Sequence, residues 1–186
     1  MSPAATIDAV DGERVALEAA DELFYSRGVG AVTMGEIRDR SGVSLRRLYS
    51  TYASKSDLVA AWLRHRHTSW TTGFRARVEE RIDSGDAEID SIFAALEAWM
   101  TETDFRGCGF INTHAESSEL TDEHLEIIRS HKEALASYLE TLTPEGRAIA
   151  VVIDGAIVQA AIFGSTEPIQ HAHRAAKALT SSRSHQ

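Results

Sequence analysis

The sequence has few residues that could cross-link a small fold and no uninterrupted apolar run long enough to cross a membrane. Among its 186 residues there are one cysteine and three prolines. A single cysteine excludes an internal disulfide framework and points to a reducing compartment. The most apolar stretch, residues 148–164, is interrupted by Asp154 and Gln159, so we expect a buried helix there and not a membrane span. The first residues lack a basic, apolar leader, and we therefore expect a cytoplasmic protein without a membrane partner.

Patterns typical of β-strands are also scarce. Apolar residues recur every three or four positions, as in amphipathic helices. The composition, 43% hydrophobic and 25% charged, is ordinary for a globular protein. We therefore predict an all-α fold of about nine helices. An N-terminal three-helix domain is expected over residues 1–60 and a larger helical domain over residues 61–182, with a frayed tail at 183–186.

Helix-start signals cluster near the N-terminus. A first helix is predicted over Asp11–Arg27, with Gly28 placed to stop it. The sequence Thr-Met-Gly-Glu from position 33 is a capping box, and Ser44 and Ser54 are spaced to cap two further helices. These signals place two short helices, at 34–40 and 45–50, before a long one that starts at residue 55.

The two short helices have the form of a helix-turn-helix, joined by a three-residue turn that contains Gly42. Glycine can adopt the positive φ that such a turn needs. The second helix presents Arg46 and Arg47, and arginine is the commonest reader of guanine in the major groove. A solvated charged face is the alternative for a pair of this kind, and the pattern alone leaves both readings open.

The charge distribution bears on this choice. The formal net charge of the chain is −9, which by itself argues against a nucleic-acid partner. Residues 38–66, however, hold seven basic and two acidic side chains, whereas residues 67–186 hold 10 basic and 19 acidic ones. Because phosphate contacts depend on the local field, the basic segment favours DNA binding by the helix-turn-helix.

A spaced motif makes a family resemblance specific: Leu23-Phe24-x3-Gly28-x4-Thr33-x3-Ile37-x4-Gly42-Val43-Ser44-x3-Leu48-Tyr49-x2-Tyr52-x-Ser54-Lys55-x2-Leu58. It resembles the N-terminal domain of TetR-family transcriptional regulators. The resemblance implies a homodimeric, ligand-responsive regulator, expected to be a repressor that leaves a palindromic operator when a small apolar or amphipathic effector binds. By motif position it implies DNA contacts from Thr33, Ser44, Leu45, Arg46, Arg47, Tyr49, Ser50 and Lys55.

Some positions depart from the family pattern. The family usually has a small pair such as Gly-Thr where this chain has Arg46 and Arg47, and usually alanine where it has Arg38. Tyr52 replaces a common phenylalanine. Arg46 and Arg47 are expected either to read guanines or to hold additional phosphates, and replacement of either by alanine is expected to cost roughly 1–3 kcal/mol of binding.

The C-terminal half is expected to sense a ligand. Residues 105–116 resemble a Gly-Cys-x-Phe-x-Asn segment found in one branch of the family, where it implies a helix next to the ligand cavity. Pockets are mostly apolar with a few polar anchors. Core packing is the alternative for any one aromatic residue. The candidate ligand-binding residues are Trp62, Trp70, Phe74, Trp99, Phe110, Asn112 and His114.

The last two helices, predicted at 144–163 and 168–179, resemble the pair that forms the family's dimer. The first is apolar nearly all round, so we expect it to be buried on most sides. Burial inside a monomer is the alternative to a symmetric dimer. The candidate interface residues are Ile149, Val152, Ile153, Ala156, Ile157 and Ala160.

Catalytic and metal chemistry are not favoured. Cys108 and His114 lack a third orienting group, and no histidine pair has a spacing that would hold a metal ion without other ligands. We predict no enzyme activity, no cofactor and no metal. The expected partners are operator DNA, a small-molecule effector and a second copy of the chain. The alternative is a small helical enzyme or ligand carrier that uses the aromatic C-terminal cavity without DNA binding.

Overall fold

A computed structural model describes residues 9–116 and 120–181. These two stretches form nine α-helices and contain no strand, so the predicted all-α fold is confirmed. The predicted frayed tail at 183–186 lies outside the described residues. The helices are α1 (Ala9–Arg27), α2 (Met34–Ser41), α3 (Leu45–Thr51), α4 (Lys55–Asp83), α5 (Glu88–Met100), α6 (Gly109–Glu116), α7 (Asp122–Leu142), α8 (Gly146–Phe163) and α9 (Glu167–Ser181).

The helix boundaries near the N-terminus follow from local side-chain chemistry. Helix α1 ends at Arg27 and is followed by Gly28, which has a φ of 83°. Glycine adopts this left-handed conformation readily because it has no β-carbon. The predicted capping box of α2 is present, since Thr33 accepts from the backbone N–H of Glu36 and the Glu36 carboxylate accepts from that of Thr33. Ser54 caps α4, because its hydroxyl accepts from the backbone N–H of Asp57 at 3.1 Å.

The described chain forms two compact units. The first combines residues up to Arg66 with residues 113–127, and the second combines residues 67–112 with residues from 128 onward. The predicted domain boundary after residue 60 stays a prediction. The boundary between the two compact units lies six residues later, after Arg66, and the first unit also includes residues 113–127. Helices α4 and α7 each run from one unit into the other.

Each unit has its own apolar core. In the first, α2 packs against α1 and α3, and the fully buried side chains include Val32, Ile37, Leu48, Leu58 and Leu63. In the second, α9 packs against α5 and α8, and the fully buried side chains include Ile92, Leu96, Leu139, Ile149, Ile153 and Ile157. The first core supports the helix-turn-helix, and the second buries one face of α8.

Helix α8 begins later than predicted, at Gly146 and not at Pro144. Pro144 and Glu145 form a tight turn instead, closed by a 2.9 Å hydrogen bond from the Gly146 N–H to the Thr143 carbonyl. The turn packs so closely on the end of α7 that a β-carbon on Gly146 would collide with the backbone of residues 139–140. Glycine at this position is therefore a requirement of packing that periodicity does not reveal.

Helix α8 also has the length and hydropathy of a membrane span, with a mean hydropathy of 1.7. Length and composition alone are weak support for a membrane span, because core helices of soluble proteins meet the same criterion. Its only aspartate, Asp154, is half-buried and pairs with Lys132 of α7 at 2.7 Å. A carboxylate paired within the protein fits a helix that packs on its neighbours.

Candidate functional site

The predicted helix-turn-helix is formed by α2 and α3. Gly42 ends α2 with a φ of 72°, and its N–H donates to the Arg38 carbonyl at 2.8 Å. Val43 and Leu48 are buried beneath the turn and the second helix. The turn therefore fixes the angle between the two helices and leaves the opposite face of α3 in solvent.

Five of the eight predicted DNA-contacting residues are exposed, whereas Leu45, Arg47 and Lys55 are half-buried. The roles of all eight stay predictions. Thr33 and Ser44 are exposed at the N-caps of α2 and α3, each accepting a backbone N–H of its own helix at 3.3 Å. The Ser50 hydroxyl donates to the Arg47 carbonyl at 2.7 Å. Tyr49 is 50% exposed, which is high for an aromatic side chain that has a core available to it.

The capping box holds a charge next to the helix-turn-helix. The backbone N–H of Thr33, the Arg27 guanidinium and the Thr33 hydroxyl together lower the pKa of Glu36 from 4.5 to about 2. The carboxylate is thus ionised at the start of α2, where the helix dipole also favours a negative charge. Arg27 reaches it at 2.7 Å and ties the end of α1 to the start of α2.

Much of the local basic charge is neutralised within the protein. Four of the seven basic residues in segment 38–66 form ion pairs with carboxylates. Three of these carboxylates belong to α1 or α7 and therefore lie outside the segment whose charges were counted. Among the described residues, Arg46 and Lys55 form no ion pair. The positive field around α3 and the start of α4 therefore depends on fewer side chains than the count suggests. The four pairs are Arg38–Asp39, Arg40–Glu22, Arg64–Glu123 and Arg66–Asp21.

Glu116 and His124 contact the N-terminal part of the chain, which sequence reasoning missed. The Glu116 carboxylate accepts from the Val29 N–H at 3.2 Å. The buried His124 ring accepts from the Thr121 N–H at 3.2 Å, and its Nε2 donates to the Ser56 carbonyl at 2.9 Å. A cavity of about 190 Å³ lies beside these contacts, which is smaller than most ligand pockets.

Four of the seven candidate ligand residues come together in the second unit. Trp70 stacks on Phe74 with centroids 4.9 Å apart and meets Trp99 edge-on at 5.6 Å. Phe110 stacks at 3.7 Å on the imidazole of His131, which also meets Trp70 at 5.4 Å. We call these five residues the aromatic cluster. His131 was missed as a candidate, although it falls on the buried face of α7 with Ile128 and Leu135.

The other three candidates lie elsewhere. Trp62 is buried in the first unit, where its indole N–H donates to Asp21 at 2.6 Å and its ring packs on Phe24. His114 is exposed. Asn112 donates to the Arg106 carbonyl at 2.9 Å and so closes the loop before α6. Trp62 is thus a core residue of the first unit, in agreement with core packing, the alternative to ligand binding.

A second cavity and a buried thiol complete this unit. The cavity has a volume of about 330 Å³, and Met100, Phe105 and Ala160 contribute apolar lining. None of the predicted ligand residues lines it. The Cys108 sulfur lies 3.5 Å from the Lys132 ammonium. Within the described residues no group of three or more potential ligands could hold a metal ion.

The predicted interface residues of α8 require a correction. Five of the six, all except the half-buried Val152, are buried inside the chain itself, so they cannot form an outer contact surface. The expectation that α8 is buried on most sides is also wrong for the single chain. Val151 is 73% exposed and Ile162 70% exposed on the opposite face. The five buried residues are Ile149, Ile153, Ala156, Ile157 and Ala160.

Comparison with known proteins relates this geometry to a family. Residues 16–62 match the family model of bacterial regulatory proteins, tetR family. The HTH-type transcriptional activator FasR of Mycolicibacterium smegmatis is 34% identical over 84 residues, which are 44% of this chain and 38% of that protein. The chain therefore aligns with well under half the length of this curated relative.

Solved structures share the fold over most of the chain. SCO4454, a TetR-family transcriptional regulator from Streptomyces coelicolor, has a TM-score of 0.76 at 20% identity and covers 92% of this chain and 95% of its own. Reduced NemR of E. coli has a TM-score of 0.72 at 19% identity, covering 88% and 94%. Over residues 16–62 the chain is therefore similar to TetR-family regulators, and over most of its length it shares the fold of these solved structures. The branch resemblance of residues 105–116 is not confirmed.

Proposed function

We propose that this chain is a TetR-family transcriptional regulator, a cytoplasmic homodimer that binds a palindromic operator and leaves it when a small apolar or amphipathic effector binds. The observation that supports DNA binding best is the outer face of α3, where Arg46 and Tyr49 are exposed. Lys55 follows at the first position of α4. In a dimer, each α3 would enter one major groove, with half-sites about 34–36 Å apart or a multiple of it.

The decisive test is selection of bound DNA from a random pool by the full chain. The expected result is a palindromic site, bound with a steep decrease in affinity as salt rises, because Lys and Arg side chains release counterions from phosphates. A chain that selects no sequence, or whose binding does not depend on salt, would contradict the proposal.

The dimer is proposed to form through the exposed stripe of α8. We define this stripe as Val151, Gly155, Val158 and Ile162, which are exposed and follow one another at spacings of four and three residues. An apolar stripe of this length on a single helix is what a second copy would cover in an isologous interface. This places the contact on the face of α8 opposite to the residues predicted from sequence.

The effector is proposed to act on the aromatic cluster. Helices α4 and α7 supply Trp70, Phe74 and His131 to it, and both helices also belong to the first unit. A ligand that changes the packing around these side chains would bias the same helices that start next to the DNA-binding residues. By linkage, effector and operator must then weaken each other's binding by the same factor.

Tryptophan fluorescence can test the effector site directly. Titration with candidate planar aromatic compounds should change the emission of Trp70 and Trp99, and bound compounds should release labelled operator. Trp70→Phe should weaken both effects together, whereas Trp62→Phe, in the first unit, should leave ligand affinity unchanged. A compound that binds the cluster but leaves operator affinity unchanged would contradict the linkage.

The sign of regulation is proposed to be repression, as the family resemblance implies. The curated relative FasR is named an activator, so the sign needs a test of its own. A reporter gene placed behind the selected operator should be expressed less in the presence of the chain and more after effector is added. Increased expression on addition of the chain alone would show an activator.

A further inference from the structure

The two consecutive arginines of the recognition helix have different surroundings. Helix α3 has seven residues, and neighbouring residues on a helix point about 100° apart. Arg46, at its second position, is exposed, whereas Arg47 is half-buried. Arg46 also belongs to the N-terminal part of α3, the part of a recognition helix that contacts base edges.

Arg47 lies against helix α1. Gly12 of α1 is buried, and a β-carbon built on it would stand 2.9 Å from Nε and 3.0 Å from Cζ of Arg47. The guanidinium therefore occupies the space that a side chain at position 12 would need. Glycine is a poor residue for a helix, and at this position its lack of a side chain leaves room for the cation that packs over it.

The other end of α3 is anchored by burial. Tyr52, the residue that ends α3, is buried, and its burial together with the charge of Glu13 of α1 raises its pKa to about 12. The orientation of α3 therefore depends on the burial of Tyr52 at its C-terminal end and on the packing of Arg47 against α1 near its N-terminal end.

We propose that Arg46 is the base-reading arginine of the chain and that Arg47 is a positioning residue that holds α3 against α1. This rests on the proposed DNA-binding function. Arg46 recognises a guanine by its O6 and N7 acceptors in the major groove, the usual partner of an arginine at a base edge. The operator half-site therefore contains one G·C pair that depends on Arg46 and no position that depends on Arg47.

The test is the random-pool selection repeated with full-length Arg46→Ala and Arg47→Ala. Arg46→Ala should lose the guanine preference at one position of each half-site, keep the rest of the site, and bind the best operator about 10–100-fold more weakly. Arg47→Ala should keep every base preference, bind all operators more weakly by one factor, and unfold at a lower temperature. Arg38→Ala, which removes an exposed arginine of α2, is the matched control and should change no base preference.

Three further measurements separate positioning from phosphate contact by Arg47. The salt slope of Arg47→Ala should equal that of the wild type, since a lost phosphate contact would reduce it by about one. Gly12→Ala should weaken operator binding in the wild type but not in Arg47→Ala, where the space over position 12 is free. Arg47→Lys, which keeps a long cationic side chain at this position, should recover part of the lost affinity.

Three results would overturn the assignment. The first is an Arg46→Ala protein that keeps the full site preference, and the second is an Arg47→Ala protein that loses a base preference. The third is an Arg46→Ala protein that weakens all sequences alike with a smaller salt slope, because this describes a phosphate contact. A wild-type chain that selects no DNA contradicts the proposed function itself and removes the assignment with it.

Discussion

At Glu36, one carboxylate joins the end of α1, the turn that follows it and the start of α2. It accepts from the Thr33 N–H at 2.8 Å and pairs with Arg27. Both contacts require the ionised form, which is why the pKa lies near 2 and not at 4.5. A carboxyl whose pKa is lowered by folding stabilises the fold above its unfolded pKa and loses this contribution as the pH falls through its folded pKa.

Glu36→Gln should therefore lower the midpoint of urea unfolding at pH 7. The difference from the wild type should shrink as the pH falls from about 4.5 towards 2, because the wild-type carboxylate is then protonated. Glu80→Gln, at an exposed position of α4, is the control and should change little at any pH. A difference between Glu36→Gln and wild type that stays constant down to pH 3 would contradict the role of the charge.

Most features of the first unit could be predicted residue by residue because they are local. The stop at Gly28, the caps at Thr33 and Ser44 and the turn at Gly42 each depend on chemistry within a few positions of the chain. The role of Arg47 could not be predicted in this way. It depends on Gly12, which is 35 positions earlier, and no local pattern connects the two residues.

Between elements, the turn of the helix-turn-helix provides a direct test. Gly42 has a φ of 72°, and no atom lies within 4 Å of the position its β-carbon would take. Gly42→Ala should therefore cost about 1 kcal/mol in the free energy of unfolding, through backbone strain alone. Gly30→Ala, at an equally open position without a positive φ, should cost less. Equal costs, measured by chemical denaturation, would rule out strain as the cause.

A half-buried ion pair, Lys132–Asp154, joins helices α7 and α8. Exposed Arg147 of α8 also pairs with Glu133 and Glu140 of α7. Lys132 and Asp154 each interrupt an apolar pattern in the sequence, and their pairing explains both interruptions. Asp154→Asn should destabilise the chain by about 1–3 kcal/mol, because it leaves the Lys132 charge without its carboxylate. Lys132→Met combined with Asp154→Asn should recover part of this loss, measured by urea unfolding. A double variant as unstable as the sum of the two single ones would show no coupling.

The boundaries of α8 and α9 show where sequence reasoning about elements fails. Proline suits the first position of a helix, yet Pro144 lies in a turn and α9 begins one residue before Pro168. The face of α8 was also misassigned. A helix that is apolar on all sides has no polar side to orient it, so its periodicity cannot distinguish the face that packs on α9 from the face left in solvent.

At the scale of the whole molecule, the exposed α8 stripe predicts the oligomeric state. Val158→Glu should convert a dimer into a monomer in analytical ultracentrifugation, since it places charges within an apolar contact. Operator affinity should fall with it, because two half-sites would no longer be held together. Ala98→Glu, at an exposed position of α5, should remain a dimer. A Val158→Glu variant that stays dimeric would exclude the stripe as the interface.

The second unit was predictable only in outline, because its contacts join residues of different helices, whereas the helix caps and the turn of the first unit are local. Trp70, Phe74, Trp99 and Phe110 come from three consecutive helices, α4, α5 and α6, and the sequence does not show which aromatic residues contact each other. His131, at the centre of the aromatic cluster, was not predicted as a ligand residue, because the spacing between histidines was considered only for metal binding. Its stacking on Phe110 required the fold.

The single cysteine makes this half of the molecule directly observable. Cys108 is buried just before α6, so a maleimide dye can react with it only when that region opens. With no other thiol in the chain, the labelling rate in the native protein reports the opening equilibrium of one place without any engineered residue. A compound that slows this rate without changing that of the urea-unfolded chain binds where it closes the region around α6.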